Sequence, residues 1–233
     1  MWTREKLKTT AKADLKGFYW LSFAVCIVAS ILEGGISGSG GFSGFGSGSG
    51  SFLGNNGNDI ISPIVSLAML FTFLFVFLFM IAFVTFIGYP IMVGKSRFFI
   101  HLREEDRTMV TLFSLFKKES YLPVVKTLFL TNLFIFLWSL LFIIPGIIKS
   151  YSYRMVPYIL SENPTMHYRE VLGLSQSMTD GQKFQMFILD LSFIGWILLG
   201  TLACGVGVLF VLPYIEATWA QFYFVMRRKA MDP

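Results

Sequence analysis

Four ionisable residues, Lys149, Arg154, Asp190 and Glu216, stand within or at the edge of stretches that are otherwise apolar or uncharged. A charge kept away from water is costly, and where one is retained inside a membrane it commonly lines an ion path, relays a proton or meets a charged ligand. Two cations and two carboxylates therefore define the chemistry on offer. They could bind or pass a charged solute, or they could simply neutralise one another. Other chemistries lack their parts. His101 and His167 lie in polar segments, and Cys26 and Cys204 sit singly in apolar runs, so neither a metal ligand set nor a disulfide framework is expected. The Gly41-Phe42-Ser43-Gly44 string looks like a serine nucleophile motif but has no base to serve it, and no GxxxxGK[ST] phosphate loop occurs. No enzyme activity and no cofactor are expected.

The elements that must position these charges are apolar helices. Of 233 residues 55% are hydrophobic, 17% aromatic and only 14% charged, and mean hydropathy is +0.65. A soluble domain carries about 25% charge to wet its surface. The 26 Phe and the long Leu/Ile/Val runs exceed what one soluble core could hide, whereas a bilayer hides them readily. The net charge of +5 is accordingly read against the apolar runs and not as a nucleic-acid footprint. The expected fold is all-α: one polytopic membrane domain over 1–233 with six transmembrane helices and amphipathic cytoplasmic surface helices.

The expected spans are 17–32, 60–93, 124–144, 147–160, 184–202 and 208–226. The first is read as an uncleaved helix and not a signal peptide, because its basic start is long and no A-x-A site follows. Pro90 is expected to kink the second. Pro145-Gly146 and Gly205-Val206-Gly207 are read as turns. Residues 34–58, rich in Gly and Ser, read as a flexible extracytoplasmic loop. Three amphipathic segments alternate with the spans: 1–16 with the stripe Leu7, Ala11, Leu15 and Phe18; the stretch through Met109, Leu112, Phe113 and Phe116; and a helix capped by Asn163-Pro164, running through Tyr168, Val171, Leu172 and Ser175 to Gly181. All three are expected to lie on the inner membrane face, meeting the bilayer and its anionic lipids.

Positive residues collect on the cytoplasmic side. Segments 1–16, 95–126, 169–183 and 227–229 hold 17 of the 19 Lys and Arg. Six helices place all of them inside with both termini. That parity, and not hydropathy, makes 147–160 a span despite Lys149 and Arg154. Depth counting then sets Arg154 level with Glu216 as an ion pair, with Asp190 a weaker partner nearer the cytoplasm. Lys149 and Asp190 could instead reach an interface with their polar ends.

Three ordered blocks carry a resemblance: MWTREKLKTTAKADLKG followed by the Gly/Ser loop, IPGIIKSYSYRMVPYILSENP, and DLSFIGWILLG with CGVGVLFVLPYIEATWAQFY. The chain resembles the bacterial family of unknown function numbered 975 along its length. It is similar, more faintly, to the membrane domain of some glycerophosphodiester phosphodiesterases. The resemblance implies a multipass bacterial membrane protein with no established activity, and it assigns no catalytic residue. Arg154 and Glu216 depart from the family pattern. Two functions are expected from these readings: transport, lipid handling or an export accessory role, or else a membrane scaffold or regulator that binds a partner or anionic lipid.

Overall fold

The computed structural model describes residues 3–16, 18–32, 61–101, 109–116, 118–202 and 206–231. The Gly/Ser segment 34–58 lies outside them. The described residues are helical throughout, with no strand: α1 (Arg4–Leu15), α2 (Tyr19–Leu32), α3 (Ile61–Phe83), a π turn (Val84–Gly88), α4 (Tyr89–Ile100), a 3₁₀ segment (Met109–Phe116), α5 (Lys118–Leu141), α6 (Ile143–Ser152), α7 (Val156–Glu162), α8 (Tyr168–Thr179), α9 (Lys183–Leu202) and α10 (Val206–Met231). Among them Ser66–Ile100, Ser120–Leu141, Lys183–Leu202 and Gly207–Ala230 are long and apolar enough to cross a membrane. The pair α1 and α2, bent by 99°, would make a fifth.

Three prolines mark irregularities in the helices, whereas Pro123 and Pro213 lie inside α5 and α10. A proline ring clashes with the carbonyl four residues earlier and offers that carbonyl no N–H. Pro145 thus acts on Leu141, where α5 ends, and Phe142 takes the extended conformation (φ −154°, ψ 138°) that reverses the chain. The expected Pro145-Gly146 turn is therefore misplaced: both residues lie inside α6. Gly146 is needed for a different reason, because a Cβ there would fall 2.2 Å from Ser139 Oγ, so α6 folds back tightly along α5. Pro90 acts on Phe86, in the π turn, and the Tyr121 hydroxyl donates to the Phe86 carbonyl at 2.8 Å. Pro157 acts on Tyr153, and there the expected helix 147–160 breaks into α6 and α7 around residues 153–155. The Ser152 carbonyl left at the break accepts from Ser175 Oγ (2.8 Å) and Thr179 Oγ1 (3.3 Å) of α8.

Packing corrects two further expectations. The apolar stripes of the first and third amphipathic segments face protein, with Leu7, Ala11 and Leu15 of α1 and Val171, Leu172 and Ser175 of α8 buried, while Phe18 beyond α1 is exposed; in the 3₁₀ segment Leu112 is buried but Phe113 and Phe116 are exposed. A helix that lay on a bilayer would keep such a stripe for lipid, whereas here α1 packs along α10 and spends its stripe on that contact. Asn163 closes α7 and does not open α8, which begins at Tyr168 behind His167, whose ring accepts from the Arg169 N–H. The end of α8 is as expected, with Gly181 in the left-handed region (φ 68°) that few side chains tolerate. The apolar stretch does divide into two helices, α9 ending at Leu202 and α10 starting at Val206, but Val206 and Gly207 of the expected turn lie inside α10 and Gly205 lies outside the described residues; a Cβ on Gly207 would meet Gly200 Cα at 2.6 Å, so the two helices cross at bare backbone.

The core lies around α4, which packs against α2, α5, α7, α10 and the 3₁₀ segment. Away from it the apolar surface is bare. Every described side chain of α3 from Ser66 to Ala82 is exposed, and so are Phe136 to Ile144 and most of Ile194 to Leu202. An apolar surface of this extent needs a solvent other than water.

Candidate functional site

The four singled-out charges are not brought together as one pair. Arg154 sits in the turn between α6 and α7, and its guanidinium lies 3.7 Å from Asp190 Oδ1 on α9 and 4.4 Å from the centre of the Trp219 ring on α10. Asp190 also accepts from the Tyr151 hydroxyl at 3.0 Å. Glu216 on α10 is taken by Lys95 of α4 at 3.2 Å. The expected Arg154–Glu216 pair is thus replaced by two others. The depth count assumed an unbroken helix from Ile147. In fact α6 begins at Ile143, and the break at 153–155 turns Arg154 toward α9. Lys149 stands apart, with its ammonium 5.5 Å from the Trp138 ring and 5.7 Å from the Tyr153 ring.

Lys95 was read as the start of an inner loop. It is instead an interior residue of α4 whose side chain is 12% exposed. The signal was available in the sequence, since Phe98, Phe99 and Ile100 resume the apolar run directly after the charge, and all three are buried. Gly94 beside it lets α4 lie against the Leu112 backbone: a Cβ there would lie 2.3 Å from the Leu112 carbonyl oxygen. A second network also escaped the sequence reading. Glu162, the last residue of α7, accepts from the Tyr223 hydroxyl at 2.8 Å and pairs with Arg227, while Tyr223 stacks on Tyr158 with centroids 5.5 Å apart. Residues 216, 219, 223 and 227 form one stripe of α10 at helical spacing, and that stripe faces α4, α7 and Arg154. On another face of α10, Gln221 bonds Asp14 of α1, and Lys12 lies over the Tyr214 ring.

The Arg154–Asp190 pair opens onto a cleft of about 360 Å³ between α6, α9 and α10. Its polar part is Ser150, Tyr151, Arg154 and Asp190. Its apolar wall is the α9 stripe Phe187, Leu191 and Ile194, with Ile147 and Ile215 opposite. Phe187, Leu191, Ile194 and Ile147 are each about half exposed, so the wall continues into the bare apolar surface. A larger groove of about 540 Å³, bounded by Thr3, Arg4, Glu5, Gln185 and Ile188, contains none of the four charges. The cleft is the better candidate because charge, hydroxyl and apolar wall converge there. No group of three or more His, Cys, Asp or Glu suited to a metal occurs among the described residues.

The fold and site define a class: an all-helical protein with several helices able to cross a membrane, a charged network in its core and an amphipathic cleft beside it. Residues 140–230 match the family model described as a protein of unknown function, DUF975. The match spans α6 to α10 with Arg154, Asp190 and Glu216, while Lys95 is contributed from outside it. No curated protein and no solved structure matches the chain.

Proposed function

We propose that the chain is a six-span protein of a bacterial plasma membrane that handles lipid or a similar small amphiphile. The carrying observation is the broken helix α6–α7, which holds Arg154 against Asp190 at the edge of a cleft whose apolar wall runs out to the exposed surface. Discontinuous helices whose inner ends meet charged groups are how membrane proteins build sites for polar cargo. The break also supplies the sixth passage. Gly146 abuts Ser139 near the end of α5, and Glu162 meets Arg227 near the end of α10, so α6 and α7 together run between the two levels. Their 10 and 7 residues, with the turn between, reach about 30 Å at 1.5 Å per residue.

With six passages both termini are cytoplasmic. Lys95 no longer counts toward that orientation, but the remaining basic segments agree with it. Arg4, Lys6, Lys12 and Lys16 on the exposed side of α1 and Arg228 and Lys229 at the end of α10 are placed to attract anionic headgroups. The test is reconstitution into vesicles carrying a headgroup-labelled phospholipid in both leaflets, followed by an impermeant quencher. Faster loss of the inner-leaflet signal than in protein-free vesicles is expected. No acceleration with any phospholipid would transfer the weight to the scaffold or regulator reading.

A further inference from the structure

The cleft at the α6–α7 break is neutral but unsaturated. Arg154 carries five N–H donors, and its contact with Asp190, at 3.7 Å, is longer than the 2.7 to 2.9 Å of a charge-assisted hydrogen bond. Its other close neighbour is the face of Trp219, which accepts no conventional hydrogen bond. Among the described residues the guanidinium makes no hydrogen bond, so its N–H donors are free to meet an oxyanion that enters the cleft. Asp190 has the complementary surroundings. Tyr151 holds one of its oxygens, and Phe187 stands edge-on to Tyr151 with centroids 6.4 Å apart, leaving a carboxylate framed by two rings. A carboxylate beside aromatic rings is a setting that holds an ammonium group.

We propose that this cleft binds one zwitterionic amphiphile: its phosphate on Arg154, its ammonium on Asp190, and its chain along Phe187, Leu191 and Ile194. Charge balance selects the zwitterion. The pair sums to zero, and a net-neutral headgroup leaves it so, whereas an anionic one would leave an uncompensated charge out of water. The wall selects an amphiphile over a free metabolite, because its half-exposed residues continue the lipid-facing surface. This inference rests on the lipid-handling reading and names the ligand of the same site.

The test titrates the purified full-length chain, in a nonionic detergent, with short-chain phosphatidylethanolamine, with phosphatidylglycerol of equal chain length, and with phosphoethanolamine alone. Binding is read as a saturable rise in melting temperature. Phosphatidylethanolamine is expected to bind about tenfold or more tighter than phosphatidylglycerol, a gap of about 1.4 kcal/mol or more, and phosphoethanolamine alone only weakly. Asp190→Asn should reverse the order of the two lipids, because the site then carries a net positive charge. Leu191→Trp, which fills the wall and touches no charge, should weaken both and serves if a charge variant fails to fold. Equal affinity for the two lipids, an unreversed order in Asp190→Asn, or headgroup binding as tight as lipid binding would each overturn the proposal. The vesicle assay separates the two readings. Lipid movement that persists in Leu191→Trp removes this site and leaves the function, whereas tight binding without movement removes the function and leaves the site.

Discussion

At the scale of single residues, the charged pairs differ in how far they are withdrawn from solvent. Lys95 and Glu216 are 12% and 20% exposed, and Arg154 and Asp190 are 31% and 24%. Removing one partner of a buried pair strands the other, at a cost of about 3 to 5 kcal/mol, while replacing both with apolar groups of similar size is close to neutral. Glu216→Ala should therefore lower the melting temperature in detergent sharply, and adding Lys95→Met should restore most of the loss. Purely additive losses would mean that the two do not interact. Arg154 and Asp190, being wetter, should show a smaller coupling in the same double-mutant cycle. That coupling should still exceed the one between Arg154 and Glu216. A larger Arg154–Glu216 coupling would return the pairing to the one read from depth.

Between helices, what matters is where backbone meets backbone and where a freed carbonyl finds a donor. A methyl at Gly94 would strike the Leu112 carbonyl, which belongs to main chain and cannot swing aside, whereas at Gly173, within α8, it would meet nothing within 4 Å. Gly94→Ala should destabilise by about 1 to 3 kcal/mol through overpacking. Gly173→Ala should stabilise by about 0.5 to 1 kcal/mol through helix propensity. Thermal unfolding of the two variants side by side checks both signs. At the α6–α7 break, Ser175 and Thr179 serve the same Ser152 carbonyl, so either can stand in for the other. Ser175→Ala alone should cost less than about 1 kcal/mol. Together with Thr179→Val it should cost about 1 to 3 kcal/mol, because the carbonyl is then buried without a donor. A double loss equal to the sum of the single ones would mean that the break is held by Pro157 and not by α8.

For the molecule as a whole, the orientation proposed from the basic segments is open to a direct test. Single cysteines placed at Ser43 and Ser177, in a chain carrying Cys26→Ala and Cys204→Ala, test it in whole cells with an impermeant thiol reagent. Ser43 lies in the Gly/Ser segment outside the described residues, and Ser177 is exposed on α8. Labelling at Ser43 and protection at Ser177 are expected, and the opposite pattern would invert the topology. Burial of the α1 and α8 stripes also changes what those two helices can do at the membrane: exposed basic side chains such as Arg4, Lys6 and Arg169 remain available to headgroups, but the buried apolar faces do not. Association of the intact chain with extra anionic lipid should consequently fall with rising salt, as a contact between charges does.

Composition pointed to an apolar solvent, because 14% charge cannot wet a chain of this length, and the long apolar runs with their spacing gave the helical class. Local chemistry located most helix ends: Gly181, the break before Gly207 and the effect of Pro90 are consequences of backbone sterics that act within one turn. Pairing was different. Which charge faces which depends on helix rotation, and a break of three residues at 153–155 turned Arg154 from Glu216 to Asp190. Lys95 reached Glu216 because α4 packs against α10, and Gly94 separately lets α4 lie against the Leu112 backbone. Amphipathic spacing in α1 and α8 likewise showed that one face seeks an apolar neighbour, but it carries no record of whether that neighbour is lipid or protein. Packing made it protein, because α1 lies along α10 and α8 against α7 and α10. The cleft itself exists only where three helices from separate parts of the chain converge, and no spacing within any one of them encodes it.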